Sequence, residues 1–131
     1  MFELEYLVGL RVAQISFGSG VTLDLRGYAD RSDVTAKLDA GPIKYESADG
    51  STVELDASET RGIRYAPLLA LYGSEIKAAR ADENANVLEL VFENGDRFTA
   101  LPMSDVEGWQ LAGPGNRFMV AVPGGEIAAW E

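Results

Sequence analysis

From Val21 to Arg26 every second side chain is apolar: Val21, Leu23 and Leu25 alternate with Thr22, Asp24 and Arg26. A period of two does not fit the 3.6-residue turn of a helix. It describes a strand with one face in a core and the other in water. Residues 87–92 repeat the pattern, with Leu88, Leu90 and Phe92 on one face and Glu89 and Val91 on the other. Asn94-Gly95 then gives a hairpin signal before Arg97-Phe98-Thr99-Ala100-Leu101, and Asp49-Gly50 does the same between 43–46 and 52–55. Further strands are expected at 10–16, 33–38, 75–80, 107–111, 117–122 and 126–130. One short helix is expected near 67–72, where Pro67 suits the first helical position, Leu68, Leu69 and Leu71 form an apolar cluster, and Gly73 suits the stop.

The strands carry an internal echo. Leu7-Val8-Gly9-Leu10-Arg11-Val12 resembles Leu71-Tyr72-Gly73-Ser74-Glu75-Ile76, and each leads to an alternating strand, VTLDL from Val21 and VLELVF from Val87. A further strand follows each, at 34–38 and 97–101. The expected fold is therefore mainly β, with two antiparallel β-meanders forming a pseudo-repeat over 7–57 and 71–131. They are joined through the short helix and packed as a sandwich, roll or open barrel. At 131 residues the chain is expected to form a single domain, 1–131.

Charge prunes the functions. Twenty-one acidic against 11 basic side chains leave a net charge of −10, spread evenly: 11 and 5 over residues 1–60, then 10 and 6 over 61–131. Such a chain is poorly suited to neutralising a row of phosphates, so no nucleic-acid role is expected. An acidic face suits a basic protein partner and steers its approach. With no His and no Cys, a Ser-His-Asp triad, a thiolate nucleophile and a zinc site of the usual ligand types are all outside its reach. No enzyme activity, metal or cofactor is expected. No segment approaches the roughly 18 consecutive apolar residues of a membrane span, and the start MFELEYLVGL lacks the basic region of a secretory signal. A cytoplasmic location is the expectation.

Three stretches invite a chemical reading. Asp82-Glu83-Asn84-Ala85-Asn86, with Glu93 beyond, echoes a calcium-binding loop, but Val87 stands where that loop's sharp turn needs Gly. A hairpin turn with Asx chemistry is the better expectation. Asp105 and Glu107 lie two apart and on a strand would share a face, and paired carboxylates can divide acid and base roles, yet nothing positions a third group. The expected reading is a solvent-facing edge beside a core Trp109. Gly113-Pro114-Gly115-Asn116 and Pro123-Gly124-Gly125 lack the Lys-Ser/Thr of a phosphate loop and read as turns. In the second, Pro123 and Gly124 fit the central places of a type II turn.

The run Glu107-Gly108-Trp109-Gln110-Leu111, followed by Pro123-Gly124-Gly125-Glu126-Ile127-Ala128-Ala129-Trp130, resembles the C-terminal signature of a family of small bacterial proteins labelled only as a domain of unknown function. Upstream, Leu71-Tyr72-Gly73 with Ile76, and LELVFENG over 88–95, match it too. Proteins of this look include some similar to immunity proteins, which are small, acidic, cytosolic, cofactor-free inhibitors of a co-encoded toxin. The signature residues Glu107, Trp109, Pro123, Gly124, Gly125, Glu126 and Trp130 are expected to be structural. Along the last strand Glu126, Ala128 and Trp130 share one face. A buried Trp130 would clasp the terminus, with a cost of about 3–5 kcal/mol for Trp130→Ala.

The leading functional expectation is a non-catalytic acidic protein-interaction protein, an immunity-type inhibitor in its sharpest version. The first alternative is a small-molecule binding module with a pocket inside the sheet roll, lined by Phe98, Trp109 and Phe118. The second is a structural β protein that self-associates through edge strands.

Overall fold

A computed structural model describes residues 2–124 and 126–130. Among the described residues twelve strands form two six-stranded antiparallel sheets that pack as a sandwich and do not close into a barrel. The strands are β1 (Phe2–Glu3), β2 (Arg11–Gly18), β3 (Gly20–Arg26), β4 (Thr35–Ala40), β5 (Ile43–Glu46), β6 (Thr52–Leu55), β7 (Ile76–Asp82), β8 (Val87–Phe92), β9 (Arg97–Ala100), β10 (Trp109–Ala112), β11 (Phe118–Val122) and β12 (Glu126–Trp130). One sheet runs β1-β7-β8-β9-β5-β6 and the other β12-β11-β10-β4-β3-β2. We call them the first and second sheet. The alternation that announced the strands fills the space between them: Leu23, Leu25 and Leu38 face Leu88, Leu90, Phe92 and Phe98 in one hydrophobic cluster.

Neither half of the chain builds a sheet alone. The first half gives the meander β2-β3-β4 to the second sheet and the hairpin β5-β6 to the first; the second half gives β7-β8-β9 to the first sheet and β10-β11 to the second. The sheets are sewn together where β4 pairs β10 and β9 pairs β5. The crossing is reciprocal down to single hydrogen bonds. Gly9 N–H donates to Ile76 O at 2.8 Å and Gly73 N–H to Val12 O at 2.8 Å. Val12 N–H donates to Ser74 O at 3.0 Å and Ile76 N–H to Leu10 O at 2.8 Å. Exchanging Gly9 with Gly73, Leu10 with Ser74 and Val12 with Ile76 maps each bond onto its counterpart, and the lone bridge between Arg11 and Glu75 maps onto itself. A register shift follows Val12 in β2 and Ile76 in β7 alike.

This symmetry relates β2–β6 to β7–β11, and it resets the alignment read from sequence. Ala40 takes the place of Ala100 at the end of each meander, so Val21 corresponds to Leu88, not Val87. The strand β12 has no counterpart in the first half, and the two-residue β1 is too short for periodicity to announce.

The short helix expected at 67–72 is present and longer, a 3-10 helix over Gly62–Leu71 with Pro67 in its interior and not at its first position. Its three-residue period puts Tyr65, Leu68 and Leu71 on the buried side, and leaves Ile63 and Leu69 exposed. A 3-10 helix rises about 2.0 Å per residue against 1.5 Å for an α-helix. Ten residues therefore reach about 20 Å, which lets the segment pack against both β6 and β2 along one flank of the sandwich.

Both predicted hairpin turns are three-residue loops closed in the same way. Gly50 N–H bonds Ser47 O at 3.0 Å and Gly95 N–H bonds Phe92 O at 2.9 Å, with Gly50 at φ 97° and Gly95 at φ 95°. They are locked to each other by Asp96, which is 4% exposed. Its carboxylate accepts from the Tyr45 hydroxyl at 2.9 Å, the Ala48 N–H at 2.8 Å and the Asn94 amide at 3.1 Å. Burial, and then the neighbouring Asp96, push the Tyr45 hydroxyl up to about 12.

The folded state thus holds this proton more tightly than the unfolded chain, whose tyrosines titrate near 10. The associated stability is complete below about pH 10 and is lost as pH rises through about 12, on the order of 2–3 kcal/mol. Urea melts between these pH values should show that loss in the native chain, and a shallower one in Tyr45→Phe.

Candidate functional site

The outer faces of the two sheets differ in what their charges do. Across the first sheet one cross-strand row reads Glu3, Arg80, Glu89, Thr99, Lys44, Glu54. Arg80 meets Glu89 at 2.6 Å, Arg97 meets the same carboxylate at 3.7 Å, and Lys44 meets Glu46 at 3.6 Å. Charges on this face largely answer one another.

The second sheet carries a groove instead. Its floor is the row Ser16, Thr22, Asp39, Gln110 across β2, β3, β4 and β10. Continuing the alternation of β4 past Leu38 is what turns Asp39 outward. The Thr22 hydroxyl donates to Asp39 at 2.6 Å and orients the carboxylate. Beyond Asp39, the Gln110 amide donates to Glu107 at 3.1 Å. Phe17 lines the end of the groove from the core side of β2, its ring 4.8 Å from that of Tyr65 on the 3-10 segment. One wall is the loop 101–108, which brings Met103 and the half-exposed Val106 to the rim.

Glycine makes this shape possible. A Cβ on Gly20, which has φ +121°, would collide with the Ala40 carbonyl, and one on Gly108 would lie 2.5 Å from the Leu101 carbonyl. The loop is tied down by Gly41 N–H to Gly108 O at 2.8 Å and Gly108 N–H to Ala121 O at 3.2 Å. The resulting concavity measures about 560 Å³. Asp39 and Glu107 are its charged lining residues, and no Lys or Arg is among the described residues that line it. A second concavity of about 570 Å³ on the same face is mixed in charge, with Asp24, Arg26 and Lys37.

The residues singled out from sequence fall into separate places. Trp109 is 1% exposed in the core, and its indole N–H donates to Asn86 O at 3.0 Å, pinning the β7–β8 turn to the start of β10. Glu107 reaches the groove, but from the loop, because β10 begins only at Trp109. Asp105 and Glu107 therefore do not share a strand face. Asp82 accepts the Asn84 N–H at 2.9 Å in an Asx turn, while Glu93 lies past the far end of β8. Pro123 and Gly124 form the exposed β11–β12 turn, with Gly124 at φ 88° as a type II turn requires; Gly125 lies outside the described residues.

Two expectations about aromatic residues need correction. Phe98 and Trp109 belong to the packed core, whereas Phe118 lies on the outer face of the second sheet, so the three share no cavity. Trp130 is 55% exposed. Glu126, Ala128 and Trp130 do share a face, but it is the outer one, where Trp130 pairs across the ladder with Phe118 at 5.5 Å between rings. On the other side of β12, Ile127 packs on the core opposite Ala121, while Ala129, opposite Met119, stays exposed.

Asp39, Phe17, Met103 and Val106 were not singled out from sequence. The available signal was the Gly18-Ser19-Gly20 turn beside an unbroken alternation reaching Ala40.

Trp109→Ala removes a fully packed indole and is expected to cost about 3–5 kcal/mol. Trp130→Ala loses an exposed ring pair worth roughly 0.5–1.5 kcal/mol. Chemical denaturation of both variants checks the order.

Among the described residues no helix is long and apolar enough to cross a membrane. No curated protein and no solved structure matches the chain. One family model does match, over residues 4–131, a span that takes in both halves, the groove and every signature residue. The chain belongs to DUF6188, a family of unknown function.

Proposed function

We propose that this chain is a non-catalytic protein-interaction module whose groove on the second sheet receives an arginine- or lysine-bearing segment of a basic partner protein. The supporting observation is the lining: two oriented carboxylates, Asp39 and Glu107, beside the apolar Phe17, Met103 and Val106, with no cationic side chain to compete. A carboxylate held by Thr22 keeps a second oxygen free for a guanidinium fork or an ammonium. The apolar walls suit the methylene stem that carries such a charge. The net charge of −10 steers the encounter over longer range.

In its sharpest form the partner is a basic toxin and the chain its cytoplasmic immunity-type inhibitor, as the family resemblance implies. That form expects a growth-inhibiting protein encoded beside this chain, and restored growth when the two are expressed together. Unchanged toxicity would remove this form and leave the groove to be tested by itself.

The direct test uses a fluorescent arginine-rich peptide and anisotropy at low and physiological salt. Exposed charge pairs contribute roughly 0.2–1 kcal/mol each. Asp39→Asn with Glu107→Gln is therefore expected to weaken binding about two- to thirtyfold. Asp30→Asn with Asp33→Asn makes the same change in net charge on the β3–β4 loop and should leave affinity nearly unchanged. Equal loss in both pairs would mean that net charge, not the groove, binds the peptide.

A further inference from the structure

The sandwich has two flanks, and they are closed unequally. On one flank lie the edges β6 and β2. The 3-10 segment packs against both, the Arg64 guanidinium donates to Glu54 O at 3.3 Å, and Gly73 and Ser74 bond the two sides of Val12 in β2. On the other flank lie β1 and β12. The segment that corresponds to the crossover by symmetry is a single 3-10 turn, Glu5–Leu7, which packs against β7; among the described residues no strand pairs the outer edge of β12.

Among the described residues the edge of β12 lacks most of the usual protections of an exposed strand. Such strands are blunted by Lys, Pro, a bulge or a covering segment. Among the described residues Glu126–Trp130 has no Lys, Pro or bulge: it is five residues long, in unbroken register with β11, and Glu126 is its sole charge. The surface beside it is a shallow cleft of about 500 Å³ with Phe2, Tyr6, Phe118 and Trp130 around it. Phe2 is 40% exposed and Trp130 55%. Arg117 lies over the Tyr6 ring at 4.8 Å. Aromatic residues, Met and Arg with few carboxylates are the composition of an interface core, and here they stand on a chain that is otherwise densely acidic.

We propose that this flank is a homodimer interface in which the β12 strands of two copies pair antiparallel about a two-fold axis at Ala128, making one continuous twelve-stranded sheet. The register is self-complementary. Ala128 meets Ala128 of the second copy, Ile127 meets Ala129, and Glu126 meets Trp130. The two Glu126 carboxylates then stand at opposite ends, about 14 Å apart along the strand, beyond the roughly 8 Å screening length of physiological salt. Each Glu126 also comes to the end of the sheet that carries Arg117 of the other copy, since Arg117 precedes Phe118 and Phe118 pairs with Trp130. Opposite charges face each other across the apolar residues 127–130.

Sedimentation velocity of the full chain at about 5 and about 500 µM should show the mass rising from 14.1 kDa toward twice that value. The chain has no Cys, so single-cysteine variants read the register cleanly. Residues directly opposite in an antiparallel pair have Cα atoms about 4.5–5.5 Å apart, within disulfide range. Under oxidised glutathione, Ala128→Cys should cross-link at least about tenfold faster than Glu54→Cys on the covered edge. Trp130→Glu should weaken association about tenfold or more while the melting temperature stays close to that of the native chain. A monomer at the higher concentration overturns the proposal, and so does a dimer in which both cysteine variants cross-link equally. Asp39→Asn with Glu107→Gln should leave the dimer intact, so the groove and the flank fail or stand separately.

Discussion

Everything in this fold depends on the reciprocal backbone bonds around Arg11 and Glu75. Gly9 and Gly73 each turn the chain so that an N–H reaches the opposite half at 2.8 Å. Arg11 is held there a second time: its guanidinium lies 3.6 Å over the Tyr28 ring, and Tyr28 donates to Glu75 at 2.8 Å. From this crossing each half sends its meander one way and its hairpin the other. Removing one half would strip both sheets of strands at once. Most stabilising contacts are consequently distant in sequence, the condition under which folding is slow and cooperative.

The same division sorts the charges. The outer face of the first sheet distributes Arg and Lys among Glu in cross-strand rows, each exposed pair contributing little alone and all of them cancelling the field there. The second sheet places Asp39 and Glu107 where loops and glycines hollow its surface. A chain with nearly two acids for every base does not present a uniform acidic coat. It has a neutralised side and a groove that keeps its carboxylates uncompensated.

Strands were legible because a period of two is local, and each half-buried segment states it in six residues. Sheet membership was not legible: alternation says which side of a strand is apolar, not which neighbour it will pair with. The exchange of hairpins therefore emerged only from register. Trp130 shows the limit in one residue, since its parity with Glu126 and Ala128 was right and its side was wrong. Phe118 across the ladder decides the side, and nothing near Trp130 in sequence says so. The clustered leucines of the crossover announce a short helix but not its 3-10 form or its length, because they cluster either way. Asp39 was missed because its strand was ended one residue early, at Leu38.

That crossover is the main covalent join between the halves, yet the hydrogen bonds that unite them lie elsewhere. Cutting the chain near Ser58–Thr60 would leave two fragments that interlock through β4 with β10 and β9 with β5. The polypeptide could then be supplied in two pieces, and their reassembly would itself report on the crossing. The connection serves less as a tether than as a cover for one flank, where it packs along both β6 and β2.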